Sequence, residues 1–237
     1  KGAPVDLGTG ALMQDRLKIL TPTPSTPEAV ASVVDRIADE FLDDLPANSP
    51  VGVTIPGIVH HGVVRSAANI DSAWIGCPGQ DVFSTALGRP CMLVNDADAA
   101  GVAEVRYGAA KEVSGLVILT TLGTGIGVAL IHNGVLIPNA ELGHLELNGH
   151  DAETRAAASA REREGLKYVQ WAKERLQPYF AHLEFLFSPD LFVIGGGVSR
   201  KAEKFLPHLR LDTPIVPATL RNTAGIIGAA ALAADMH

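Results

Sequence analysis

A short apolar strand running straight into a helix, with Asn95 and Asp96 at the junction, is the feature that most narrows what this chain can become. Met92, Leu93 and Val94 follow the breakers Gly88 and Pro90, which predicts a buried parallel strand. Ala97 through Tyr107 then has helix-forming composition. In open α/β sheets, ligands bind beyond the carboxyl ends of the strands. A carboxylate at that place is a candidate general base taking a proton from a substrate hydroxyl, a role worth roughly 10²–10⁴ in rate. Asn95 beside it is a candidate for holding the same substrate through its amide. The plainer alternative is that Asp96 or Asp98 caps the helix.

Composition sets the limits. The 237 residues suffice for one large domain or two small ones. The expected boundary lies just before Asn95: a small α/β lobe over 1–94, completed by a final helix at 222–237, and a large α/β lobe over 95–221. Hydrophobic content of 47% with 19% charged residues is that of a soluble globular protein. No apolar run reaches the roughly 18 residues that span a bilayer, so no membrane association is expected. Cys77 and Cys91 lack metal-ligand spacing, which argues against a disulfide scaffold and a zinc–cysteine site and makes the cytoplasm the default. A net charge of −7 predicts no whole-surface attraction for nucleic acid, so a polyanionic substrate would need a local basic patch. The chain opens Lys-Gly-Ala-Pro-Val-Asp inside an apparent strand, and a natural segment before Lys1 is expected.

Other stretches are readable in order. Residues 3–6 and 11–20 read as strands joined at Gly8-Thr9-Gly10. Thr26-Pro27-Glu28 is a helix start, and Val30, Val33, Val34, Ile37 and Phe41 give that helix one buried face. Val51–Ile55 and Val63–Ala68 read as strands, with Asn69 at the end of the second a candidate polar contact. Trp74 either walls a cleft or packs a loop. Gly115–Gly123 is a β-branched run entering Gly-Thr-Gly-Ile-Gly at 123–127, and a strand returns at Val128–Ile131. Backbone amides there, with the hydroxyls of Thr121 and Thr124, can donate to an anion. The dinucleotide fingerprint is excluded, because a strand rather than a helix follows. Residues 152–187 read as two helices interrupted at Gly165, with Pro178 at a kink or first turn. Leu191–Ile194 is a strand entering Gly195-Gly196-Gly197, after which Ser199 is expected to cap a lysine-rich helix. Asn222–Ala234 reads as a small-residue helix that could support a dimer.

The sequence Asn-Asp-Ala-Asp-Ala-Ala-Gly (95–101), Leu-Gly-Thr-Gly-Ile-Gly (122–127), Glu-Leu-Gly-His-Leu-Glu (141–146), Gly-His-Asp-Ala-Glu (149–153) and Phe-Ser-Pro-Asp-Leu-Phe-Val-Ile-Gly-Gly-Gly (187–197) resembles the ROK family. The resemblance covers the whole chain and is close to the family's polyphosphate-using glucokinase and glucomannokinase branch. It implies the two-lobed, actin-like ATPase (ribonuclease H-like) sugar kinase fold. It further implies phosphoryl transfer to the 6-hydroxyl of glucose, with mannose as an alternative acceptor, from inorganic polyphosphate or ATP with Mg²⁺. Asp96 matches the family's base; Asn95, Glu141, His144 and, less directly, Glu153 match its sugar-binding residues. Thr121, Gly123, Thr124, Gly125 and Gly127 resemble its second phosphate loop, and Gly195, Gly196 and Gly197 the turn beside the nucleotide base.

Two departures carry expectations. Residues 147–165 hold no cysteine, so no structural zinc is expected. Of the family's first phosphate loop only the closing lysine survives, as Lys1, so the N-terminal strand and that loop are expected to be missing. A polyphosphate chain would need cations along its path, for which Arg155, Arg161, Arg163, Lys167, Lys201 and Lys204 are candidates. The rival readings are a sugar-sensing repressor domain of the same family and a kinase for another hexose.

Overall fold

The computed structural model describes residues 1–46, 48–67 and 70–236. The chain forms two compact units, Lys1–Ala103 with Thr223–His237, and Glu104–Asn222. The division falls inside a helix rather than before Asn95. Asn95 pairs with Ile55 in a strand register, and that pairing keeps it in the first unit.

The first unit opens with β1 (Val5–Asp6) and β2 (Ala11–Leu12), an antiparallel pair. The Asp6 carboxylate accepts from the Gly8 amide at 2.9 Å and from the Thr9 hydroxyl at 2.8 Å, which fixes the turn. The strand expected over 11–20 stops at Leu12, and beyond it only Gly2 and Leu17 form a bridge. Helix α1 (Pro27–Leu42) starts where the sequence predicts: the Thr26 hydroxyl accepts from the Ala29 amide and Pro27 occupies the first turn. Next come β3 (Val51–Ile55), the hairpin of β4 (Val59–His60) and β5 (Val63–Val64), and α2 (Gly79–Leu87). The strand expected over 63–68 ends at Val64; Asn69 lies outside the described residues. Strand β6 (Cys91–Asn95) pairs with β3 in parallel, and α3 (Asp96–Tyr107) follows without a linker.

Trp74 packs the core of this unit. It is 1% exposed, stacks on Phe83 with ring centroids 5.6 Å apart, and donates its indole N–H to the Ser25 carbonyl at 2.8 Å.

The second unit is built on a five-stranded sheet. Its strands are β7 (Leu116–Leu122), β8 (Ile126–His132), β9 (Val135–Ile137), β12 (Leu191–Gly195) and β13 (Ile215–Pro217), in the order β13-β12-β7-β8-β9. Between β9 and β12 the chain forms the small pair β10 (Glu146–Leu147) and β11 (His150–Asp151). Helices α4 (Glu153–Ala156), α5 (Ala158–Arg163), α6 (Tyr168–Trp171) and α7 (Gln177–Phe187) follow. The expected break falls at Gly165, which has φ +65°. Pro178 is absorbed without interrupting the second helical stretch. A π-helical turn over Ala172–Leu176 joins α6 to α7, and the Gln177 amide reaches back to the Ala172 carbonyl. Trp171, Leu176, Tyr179, Phe180, Leu183, Phe192 and Phe205 pack this helical layer onto the sheet, with Phe180 edge-on to Phe192 at 5.3 Å.

Glu104 is wholly buried in this unit. Its carboxylate accepts from the backbone N–H groups of Ala109 (2.7 Å), Thr219 (3.1 Å) and Leu220 (2.7 Å), and from the Thr219 hydroxyl (3.1 Å). Four donors offset the cost of removing that charge from water.

The last helix, α8 (Ala224–Ala234), returns to the first unit and lies on β3 and β6. A side chain at Gly52 would strike the Ala229 carbonyl, and one at Gly228 the Ala99 carbonyl. The small residues of α8 therefore serve close packing inside the unit, which is the physical reason for the composition that suggested a dimer face.

Candidate active site

In the first unit the site residues stand where β6 becomes α3. Asn95, 9% exposed, is the residue that caps the helix: its Oδ1 accepts from the amides of Ala97 at 2.8 Å and Asp98 at 3.1 Å. Its Nδ2 donates to the Gly57 carbonyl at 3.1 Å, tying the loop after β3 to the end of β6. The capping considered for Asp96 or Asp98 thus belongs to Asn95, whose amide is engaged by the protein itself. Asp98 is buried. Asp96, the first residue of α3, leaves its carboxylate accessible. Protein surrounding the still accessible carboxyl removes part of its hydration and raises its pKa above the ordinary value, opposed by the backbone N–H groups of Ala97 and of Asp96 itself. A more basic carboxylate at a strand end is suited to proton abstraction. Lys1 is exposed in this unit, next to the Gly2–Leu17 bridge.

In the second unit the sheet brings both glycine segments together. The parallel register of β12 on β7 sets Gly195 opposite Thr121, and the chain then turns at Gly196. Gly196 has φ +81°, and a Cβ there would collide with the Leu122 backbone, so glycine alone fits. Ser199 does not cap the next helix. It lies inside a 3₁₀ segment, Gly197–Lys204, and donates its hydroxyl to the Gly196 carbonyl at 2.8 Å.

The Gly123–Gly127 turn closes the β7–β8 hairpin, with the Gly123 amide bonded to the Gly125 carbonyl at 3.0 Å. Among the described residues the amides of Thr124 and Gly125 meet no acceptor. The Thr121 hydroxyl reaches the Gly127 carbonyl at 3.4 Å, so it braces the hairpin rather than pointing freely outward.

Behind this turn lies a polar cluster. His144 Nδ1 is 2.8 Å from Asp151 Oδ2 and 4.0 Å from Glu153 Oε1, and its Nε2 is 3.9 Å from Glu141 Oε2. An ionised carboxylate only accepts, so Nδ1 carries a proton. The Asp151 hydrogen bond raises the His144 pKa above its ordinary value; partial burial opposes the shift, and the charges of Glu153, Asp151 and Glu141 add to it. Glu153 also accepts from the Ile126 amide at 3.0 Å through Oε2, so it bonds the glycine turn. Ligand atoms of His144, Asp151 and Glu153 lie within 4.8 Å of one another, a spacing that could suit a metal ion. Each is already engaged, His144 with Asp151 and Glu153 with Ile126.

Two contributors were not singled out from sequence. Asp151 sits within the Gly-His-Asp-Ala-Glu stretch, seven positions after His144, and faces it only because the β10–β11 hairpin turns the chain back. Ser159 donates its amide to the Gly123 carbonyl at 3.0 Å and its hydroxyl to the Thr124 carbonyl at 2.5 Å, and nothing in the sequence marks it. Of the candidate cations, Arg161 is held by the Leu166 carbonyl, by Glu162 and over the Tyr168 ring at 4.4 Å, and Arg163 by the Thr154 carbonyl. Arg155, Lys167, Lys201 and Lys204 are exposed.

Residues 7–159 match the ROK family. The chain is 53% identical to polyphosphate glucokinase of Mycobacterium tuberculosis over 231 residues, covering 97% of this chain and 85% of that protein. It superposes on the inorganic polyphosphate/ATP-glucomannokinase of Arthrobacter sp. strain KM with a TM-score of 0.92 at 56% identity, covering 98% and 93% of the two chains. A ROK family glucokinase from Streptomyces griseus, solved in complex with glucose and AMPPNP, matches with a TM-score of 0.79 at 25% identity over 98% of this chain and 94% of that one. The chain therefore belongs to the ROK family and has the actin-like ATPase fold of its sugar kinases.

Proposed function

We propose that the chain is a hexokinase-type phosphotransferase that makes glucose 6-phosphate from glucose and inorganic polyphosphate or ATP, with Asp96 as general base. The observation that carries this reading is the junction of β6 and α3. Asn95 takes over the capping of the helix, so the Asp96 carboxylate is left accessible and made more basic by its surroundings. In the reaction the 6-hydroxyl oxygen attacks the terminal phosphorus as Asp96 accepts its proton. The bond from that phosphorus to the bridging oxygen breaks, releasing ADP or a polyphosphate one unit shorter. Phosphoryl transfer depends on positioning and charge stabilisation, for which the Thr124 and Gly125 amides are suited donors.

On the sugar side, His144 held by Asp151 through Nδ1 presents Nε2 to a hydroxyl, and Glu141 lies beside it. Mannose as a second acceptor is supported by the likeness to a glucomannokinase. The divalent metal of such transfers we take to be Mg²⁺. In the His144, Asp151 and Glu153 cluster, His144 Nδ1 is held by Asp151 and Glu153 Oε2 by the Ile126 amide, so we place the ion with the donor phosphates instead. A cytoplasmic location agrees with this substrate set, and among the described residues no helix is long and apolar enough to cross a membrane.

Asp96→Asn is the test. Turnover of glucose with either donor should fall by about 10²–10⁴ while glucose still binds, as read by a coupled assay and by titration calorimetry. Activity within about tenfold of the unaltered chain would remove Asp96 from the role of base.

A further inference from the structure

The glycine turn is held from behind by one short segment, residues 153–159. Glu153 Oε2 takes the Ile126 amide at 3.0 Å. Ser159 supplies two more bonds, its amide to the Gly123 carbonyl at 3.0 Å and its hydroxyl to the Thr124 carbonyl at 2.5 Å. A Cβ on Gly125 would strike the Glu153 carboxylate, so the turn and its strut are fitted to one another. These bonds fix both carbonyls on one side of the turn. The amides of Thr124 and Gly125, which meet no acceptor among the described residues, are thereby left to the opposite side.

We propose that Ser159, together with Glu153, is a positioning residue that aims the Thr124 and Gly125 amides at the phosphoryl donor. Among the described residues the Ser159 hydroxyl bonds only the turn, so the effect of losing it is confined to the donor. Glu153 also stands 4.0 Å from the imidazole of His144, so it couples the sugar side of the cluster to the phosphate side. The inference rests on the kinase reading above.

The experiment is steady-state kinetics with glucose and each donor on Ser159→Ala, Ser159→Thr, Glu153→Gln and Glu153→Ala. Ser159→Ala should lower kcat/KM for the donor about fivefold, the scale of one neutral hydrogen bond, with the glucose KM within about twofold of the unaltered chain. Ser159→Thr keeps the hydroxyl and should restore the donor parameter. Glu153→Gln keeps an acceptor for the Ile126 amide and should retain donor kinetics that Glu153→Ala loses. Adding Gly125→Ala, which displaces the carboxylate on its own, to Glu153→Ala should cause less further loss than it does in the unaltered chain. Donor parameters unchanged in both alanine variants, or donor and glucose KM rising in step in Ser159→Ala, would overturn the inference while the kinase reading stands. An unaltered chain that phosphorylates no hexose from either donor would instead remove the reading beneath it.

Discussion

Asn95→Ala removes three hydrogen bonds at one point, and their geometry sets the size of the effect. Two are cap bonds to the amides of Ala97 and Asp98, and the third joins Nδ2 to the Gly57 carbonyl. Replacing an Asn cap by Ala costs about 0.5–2 kcal/mol. Leaving the Gly57 carbonyl without that donor in a site where Asn95 is 9% exposed costs about 1–3 kcal/mol. The two share one side chain, so the expected total is about 2–4 kcal/mol, or roughly 5–15 °C in Tm for a chain of this length. Asn95→Asp separates the contributions. A carboxylate caps as well as an amide, but it sets an oxygen against the Gly57 carbonyl and a second charge beside Asp96, so it should fall between the unaltered chain and the alanine variant. Thermal and urea unfolding give the stabilities, and calorimetry with glucose gives the affinity. Asn95→Ala within about 0.5 kcal/mol of the unaltered chain, or Asn95→Asp fully as stable, would refute the capping account. A large loss of glucose affinity in a variant of undiminished stability would make Asn95 a sugar ligand first.

The other expectations concern charge and backbone. Asp96 must be ionised to accept a proton and its pKa lies above the ordinary carboxylate value, so kcat/KM should fall on the acid side at a higher pH than an unperturbed aspartate would give; a pH–rate profile checks this. The folded-state pKa of His144 is raised above 6.5, so its pairing with Asp151 stabilises fully below that value and is lost as pH rises through the folded pKa. Melting curves across that window should show the loss in the unaltered chain and not in Asp151→Asn. Gly196→Ala, at φ +81° and against the Leu122 backbone, should cost at least about 1–3 kcal/mol in urea unfolding or abolish soluble protein. Turnover with polyphosphate should fall more steeply with added salt than turnover with ATP, because a longer polyanion engages more cations; equal salt slopes would count against a basic track.

What could be read from the residues, and what could not, divides along one physical line. Local rules gave the β6–α3 junction, the Thr26 cap with Pro27 and the β7–β8 hairpin. These depend on residues within a turn or two of one another, and composition reports them directly. The strands expected over 11–20 and 63–68 shrank to two residues each, since pairing needs a partner strand that apolar composition cannot reveal. The roles of side chains were harder still. Asn95 and Asp96 are adjacent and sequence alone lets both face a substrate, yet a helix start has amides to satisfy, and the residue before the first turn is the one placed to do it. Once Asn95 takes that task, the neighbouring carboxylate is released from it. Glu153 was carried to the sugar by resemblance alone, and it bonds a backbone amide 27 positions earlier in the chain. Ser159 could not be found at all, because its acceptors lie 35 and 36 positions away on a turn that only the folded sheet brings to it. A carboxylate and a hydroxyl that orient a phosphate-binding turn leave no periodicity and no local spacing, so such residues come into view only with the sheet that sets them against it.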